Sequence, residues 1–272
     1  MVRIRAFSIH LLISLSIVCS FFILVYFVWY TPPFRELEGV SNVVALLVSI
    51  DLILGPLLTL IIYVPGKKGL KFDLFVIALV QLSAFSYGAY TIYIERPAFV
   101  VFNVDRFNVV TAGSIEIDEL SDPQLAPSVF ESARFVYAQT PTDPGERFEI
   151  MVSATQGGKD LALRPKYYQS YSENAAKVQE QAIITTQLLE DLHPEASGSI
   201  AEILANHGIK GKALAYFPLV GKQKSMTAII RRDNAEVIGW LDIDPWTLQV
   251  KAKKVLKQEN EVTSKLSAPE AG

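Results

Sequence analysis

Residues 43–63 read VVALLVSIDLILGPLLTLIIY, 21 positions with a single charged side chain, Asp51. A helix rising 1.5 Å per residue needs about 20 residues to cross a hydrocarbon layer of about 30 Å, so this run is long enough to span a membrane. Residues 7–30 and 74–94 share its length and character. Each run meets aromatic residues where it leaves the apolar zone: Trp29 and Tyr30 at the first exit, Tyr63 ahead of Pro65 and Gly66 at the second, Tyr90 and Tyr93 near the third. Tryptophan and tyrosine collect at membrane interfaces. The sequence therefore reads as a membrane protein with three N-terminal transmembrane helices inside residues 1–96.

Composition agrees. Of 272 residues, 50% are hydrophobic and 19% charged, and mean hydropathy is +0.29, against about 25% charged in a soluble domain. Residues 1–96 carry seven Lys/Arg and five acids, leaving 18 and 23 for the other 176 residues. That mildly acidic remainder has no basic cluster for phosphate neutralisation, which argues against nucleic acid as a partner. Arg3 and Arg5 precede the first run, and Lys67, Lys68 and Lys71 separate the second from the third, whereas the intervening loop holds only Arg35. The positive-inside rule puts the N-terminus in the cytoplasm and, after three crossings, residues 97–256 outside, in a bacterium the periplasm. The first run is too long for a cleaved signal peptide and lacks a small-x-small cleavage site, and bulky Val18 before Cys19 opposes a lipoprotein reading.

Asp51 is the costly residue. An acid at mid-helix costs about 2.5–3.5 kcal/mol on insertion scales, so it should face protein. Asp51, Gly55 and Thr59 are four apart and share a stripe, and Pro56 removes a backbone hydrogen bond beside them, favouring close helix contact or a kink. Counting from the middle of each run sets Asp51 level with Ser86 and Tyr87 and about 7 Å from the height of Gln81. The expectation is a polar cluster of Asp51 with Tyr87 or Ser86, in which Asp51 either packs internally or reaches a partner helix or an ion. An intramembrane aspartyl protease would need a second buried carboxylate, and Asp73 lies at the edge.

Beyond Pro97, alternating Phe and Val over residues 98–110 read as one or two strands. Ser121, Asp122 and Pro123 open a short helix to about residue 133; residues 135–139 form a strand; Asp143, Pro144 and Glu146 start a helix of about three turns that stops at Gly157 and Gly158, with the alternation of Phe148, Ile150 and Val152 leaving a strand as the alternative. A longer helix runs over 172–192, and a capping box at Ser199 starts another that ends at Gly208. Residues 213–219, 225–231 and 236–242 read as a three-stranded antiparallel meander, giving an α+β domain, and residues 257–272 as a flexible tail.

One cysteine, three histidines and no metal-like spacing argue against a metal site. No G-x-S-x-G, P-loop or H-E-x-x-H occurs, and His193 and His207 sit beside helix ends as capping residues, so an enzyme is not expected and no cofactor is implied. Two aromatic segments remain as interface candidates: residues 164–171, with Tyr167, Tyr168 and Tyr171 beside Arg164 and Lys166, and residues 240–246, with Trp240 and Trp246. Packing at the sheet edge is the competing role for both.

Several strings together resemble the type IV pilin accessory proteins: residues 5–14 (RAFSIHLLIS), 51–60 (DLILGPLLTL) and 66–74 (GKKGLKFDL), then Arg96-Pro97, Val104-Asp105-Arg106-Phe107, Leu163-Arg164-Pro165 with Tyr167-Tyr168, and Trp240-Leu241-Asp242. The resemblance implies an inner-membrane factor that binds and stabilises a type IV pilin or promotes its assembly, with the pilin, and other pilus assembly proteins, as partners within the lipid bilayer. It carries over no functional residues. On the physical reading the helices receive the pilin stem near Asp51, Gly55, Pro56, Thr59 and Tyr87, while the tyrosine or tryptophan segment touches the periplasmic head. The alternative is a membrane-tethered binding or sensor subunit of another envelope machine.

Overall fold

The computed structural model describes residues 2–209 and 214–266. They divide into two compact units: a helical unit up to Ala98 that also takes in Thr111–Ser114 and Pro127–Ala133, and a sheet unit of Phe99–Val110, Ile115–Ala126 and Arg134 onward.

In the helical unit, α1 (Val2–Leu24) continues through a wide π turn, Val25–Trp29. A short α2 (Phe34–Glu38) follows. Helices α3 (Ser41–Ser49) and α4 (Gly55–Ile62) are one span joined by a second π turn, Ile50–Leu54. Pro56 accounts for that turn: it has no N–H to give, and its ring would press on the carbonyl of Leu52 in a regular helix. Helix α5 (Leu70–Ile94) completes the unit. The spans Val2–Trp29, Ser41–Ile62 and Leu70–Ile94 are each long and apolar enough to cross a membrane, and they fit a membrane protein.

Packing within this unit is concentrated at one end. Val18, Val25, Trp29, Val44, Leu47 and Ile92 are buried together. Trp29 Nε1 donates to the Val129 carbonyl at 2.6 Å, and Ala112 N–H to the Arg96 carbonyl at 3.0 Å, which ties the two later segments to the helices. Arg35 donates to the carbonyls of Tyr30 and Tyr26 at 2.9 and 2.6 Å, satisfying acceptors that the end of α1 would otherwise leave open. Elsewhere Ile9, Leu12, Ile53, Phe75 and Val80 are exposed, a surface that suits hydrocarbon.

The sheet unit has seven strands in the order β4-β3-β1-β2-β5-β6-β7: β1 Pro97–Asn103, β2 Arg106–Thr111, β3 Arg134–Ala138, β4 Tyr168–Ser170, β5 Leu214–Val220, β6 Ser225–Arg231 and β7 Val237–Leu241. The expected meander is present as β5-β6-β7, both pairs antiparallel, but it is one half of a mixed sheet, since β1 runs parallel to β3 and β2 parallel to β5. Side chains alternate across a strand. On β5, Leu214 and Tyr216 enter a core with Leu189, Ile200 and Leu248, while Phe217 meets Phe102 and Phe107 at 5.2 and 6.0 Å between ring centres.

The helices of this unit are α6 (Pro144–Thr155), α7 (Ala175–Glu180), α8 (Thr186–Leu192), α9 (Ala196–Asn206) and α10 (Pro245–Leu266). Helix α6 follows the Asp143 cap as expected, Asp143 Oδ2 accepting from Glu146 N–H at 2.7 Å. Four sequence readings change. The helix expected from Asp122 is a single 3₁₀ turn, Pro123–Leu125, because Pro127 drives Ala126 out of helical backbone. The helix over 172–192 breaks between α7 and α8, where Ile184 bridges to Tyr216 and Thr185 caps α8 by accepting from Leu188 N–H. Helix α9 starts at Ala196, so Ser199 lies inside it. Helix α10 continues past the domain end expected at 256, as far as Leu266; residues 267–272 of the expected tail, and Ala213 of the expected strand, lie outside the described residues.

Candidate functional site

Height in a pair of antiparallel helices is set by the turn between them. Asp51 lies eleven residues before the end of α4 at Ile62, and Gln81 eleven after the start of α5 at Leu70. The two are therefore level, and the side chains of Gln81 and Asp51 line the same recess. This replaces the cluster with Tyr87 or Ser86 expected from the sequence: Tyr87 is 75% exposed. The misplacement comes from Leu70, Lys71, Phe72 and Asp73, which are helical although they precede the apolar run, and so pull the middle of α5 towards Gln81.

Glycine at position 55 makes the pair fit. A Cβ there would lie 1.8 Å from Gln81 Nε2, so the missing side chain is the space that the amide fills. On the same stripe, Thr59 Oγ1 lies 2.6 Å from His10 Nδ1 of α1. Gly55, Pro56 and Thr59 are all buried. The stripe read from the sequence as a receiving surface is thus occupied by the protein's own helices.

What stays open is a cleft of about 150 Å³ lined by His10, Ile13, Ser14, Asp51, Gln81 and Phe85 among others. Asp51 is 6% exposed. Its Oδ2, and Oε1 of Gln81, have no hydrogen-bond partner among the described residues. A buried acceptor left unpaired costs about 1–3 kcal/mol. Two such oxygens beside one recess make a site that gains from an incoming donor. The sequence reading missed His10 and Gln81; equal counts from the ends of the 63–69 turn are the signal that finds Gln81.

In the sheet unit the aromatic candidates separate. Tyr168 is buried and donates to the Ala162 carbonyl; Tyr171 donates to the Ala235 carbonyl at 2.7 Å. Burial pushes both phenols well above their usual range. Both side chains are spent on the fold. Tyr167 is half-buried and donates to the Glu146 carboxylate. Trp240 and Trp246 are half-buried as well, Trp246 donating to Ser225 Oγ at 3.3 Å under the Arg106 guanidinium, 5.0 Å from the ring centre.

The family model of the fimbrial assembly protein FimB matches residues 1–39, which hold α1, its π turn and α2. Three curated relatives from Dichelobacter nodosus extend the match. The fimbrial assembly protein of serogroup I is 31% identical over 247 residues, covering 89% of this chain and 95% of the relative. That of serogroup E1 is 30% identical over the same shares. That of serogroups C1 and C2 is 41% identical over 115 residues, 42% of this chain and 88% of the relative. No solved structure matches. With relatives of this identity aligned along nearly their full length, the chain belongs to the fimbrial assembly protein family, the type IV pilin accessory proteins.

Proposed function

We propose that the protein is an inner-membrane accessory factor of pilus assembly that binds a type IV pilin through the pilin's apolar stem and thereby stabilises it or promotes its entry into the fibre. The observation that carries this reading is the cleft at Asp51 and Gln81, a polar recess in an otherwise apolar bundle with two unspent acceptors. A membrane-anchored pilin presents a helix in the same layer, so a donor on that helix reaches the recess without leaving hydrocarbon. The basic residues at 3, 5, 67, 68 and 71 favour a cytoplasmic N-terminus and a periplasmic sheet unit. In that arrangement Tyr167, Trp240 and Trp246 have surface left to touch a pilin head.

The test is in-cell photo-crosslinking from Ile13 and Leu82, which line the cleft and are 56% and 63% exposed, combined with Asp51→Ala. Adducts with pilin, and loss of piliation in the variant at unchanged protein level, are expected. If Asp51→Ala leaves pilin abundance, co-purification and piliation unchanged, the stem contact is wrong.

A further inference from the structure

The sheet unit contains a second recess, with a volume of about 500 Å³, formed at the carboxyl ends of the parallel strands β1 and β3. In sheets with parallel neighbours, ligands collect outside the carboxyl ends of the strands. The β1–β2 turn supplies Asn103, Val104, Asp105 and Arg106; helix α6 supplies Arg147, Ile150 and Met151.

Three features set this recess apart from ordinary surface relief. Asn103 is 6% exposed; its Nδ2 donates to Asp160 Oδ2 at 3.4 Å, while its Oδ1 has no partner among the described residues. Val104 has φ +57°, the left-handed region that a β-branched residue rarely adopts, and its side chain is exposed at the mouth. Strained backbone of this kind collects at functional sites. Met151, on the same rim, is exposed too.

The charges around the recess are unequally used. Asp105 accepts from Arg106 Nε at 2.9 Å, Gln249 Nε2 at 2.9 Å and Lys253 Nζ at 3.2 Å. Asp160 Oδ1 accepts from Leu161 N–H at 2.7 Å. Both acids are occupied within the unit. Arg147 is exposed, and its guanidinium makes no ion pair or hydrogen bond among the described residues. The open requirements are an anion for Arg147 at the mouth, a donor for the Asn103 amide oxygen at the base, and apolar cover for the exposed Val104 and Met151.

We propose that this recess is a docking pocket for a peptide segment of a partner protein in which an acidic side chain neighbours an apolar one. The acid pairs with Arg147, the apolar side chain packs on Val104 and Met151, and a peptide N–H meets Asn103 after a small rotation of its amide. A peptide is favoured over a small anion because the apolar rim is exposed and gains from cover by something larger than the recess. The pocket is independent of the Asp51 cleft, so either can fail alone.

The probe is an array of immobilised decapeptides in which Glu, Gln or Lys alternates with Leu, Val and Phe, incubated with the full-length detergent-solubilised protein. The Glu set is expected to retain the protein at least tenfold better than the Gln and Lys sets. Residues 97–272 carry 23 acids against 18 basic residues, so the overall field opposes that preference and makes it a stringent one. Arg147→Glu should abolish it, Arg147→Lys should keep most of it, and Met151→Asp should weaken binding of every set. Since Arg147 is exposed and has no partner among the described residues, the variant's thermal unfolding should match the parent's. Equal retention of the Glu and Gln sets, a Glu preference that survives Arg147→Glu, or competition by free glutarate at the same concentration as peptide would overturn the proposal.

Discussion

The two units solve burial in opposite senses. In the helical unit Leu, Ile, Phe and Val cover much of the outside, while Asp51, Thr59, Arg96 and Ser14 are buried. In the sheet unit Phe99, Phe102, Phe107 and Phe217 are buried, and among its described residues the ion pairs lie at or near the surface. A sheet unit with such a core draws stability from many interchangeable apolar contacts. A bundle whose outside met hydrocarbon would gain little from sequestering leucine, and its specificity would rest on a few directed contacts such as His10 to Thr59.

The strongest way to break this comparison is to remove a ring from the sheet core. Phe102 packs against Phe107 and Phe217 at 5.1 and 5.2 Å, and Phe102→Ala should cost about 3–5 kcal/mol, read as a lower denaturant midpoint at unchanged slope. A shift below about 1 kcal/mol would move the core elsewhere. A matched pair comes next. Val80 on α5 and Phe148 on α6 are each 61% exposed. If the outward faces of the helices meet hydrocarbon, Val80→Asp should cost about 2.5–3.5 kcal/mol of insertion, seen as lost membrane-fraction protein. Phe148→Asp should stay within about 0.5 kcal/mol. Equal effects would erase the distinction between the units.

Gly55→Ala is expected to cost about 1–3 kcal/mol, because its Cβ would expel the Gln81 amide from its place beside Asp51. Combining it with Gln81→Ala should cost less than the two changes added, and strict additivity would show that the glycine serves another purpose. The smallest effect concerns acid. Burial alone would raise the Asp105 carboxyl, but Arg106 and Lys253 hold it below its usual range. Its contribution is therefore complete above the unfolded value of about 4 and fades as pH falls through the lower native value. Asp105→Asn should flatten the stability profile of the sheet unit below about pH 4; an unchanged profile would assign that slope to other carboxylates.

Length and apolarity made the three long helices legible, and the proline cap at Asp143 made α6 so. Register was not legible from the runs, because the first turn of α5 carries Lys71 and Asp73 and looks like loop. Sheet order was hidden for a different reason: β2 pairs with β5 across more than a hundred residues, a choice made by which faces fit and not by any local pattern. The break before α8 was written in Ile183, Ile184 and Thr185, β-branched residues of which Thr185 also has helical spacing to Leu189 and Leu192. For the candidate site, Asp51 declared itself by cost, whereas Gln81 and His10 look ordinary until their neighbours are known. Tyr168 and Tyr171 share the composition of interface residues, and only the carbonyls of Ala162 and Ala235 reveal their internal role.

The π turn at Ile50–Leu54 has a further consequence, one of phase. In a regular helix, residues eight apart differ in direction by about 80°. A π turn accommodates one residue more than an α turn and delays the rotation by on the order of 100°, which returns Asp51 and Thr59 to nearly one line. Both are buried, at 6% and 3% exposure. Deleting a single residue from the turn, Ile53 for instance, would leave a span still long and apolar enough for the bilayer but would swing Asp51 away from the side that holds Thr59 against α1. Such a chain would insert normally and still lose its cleft, which separates the fitness of this helix for membrane from its fitness for its task.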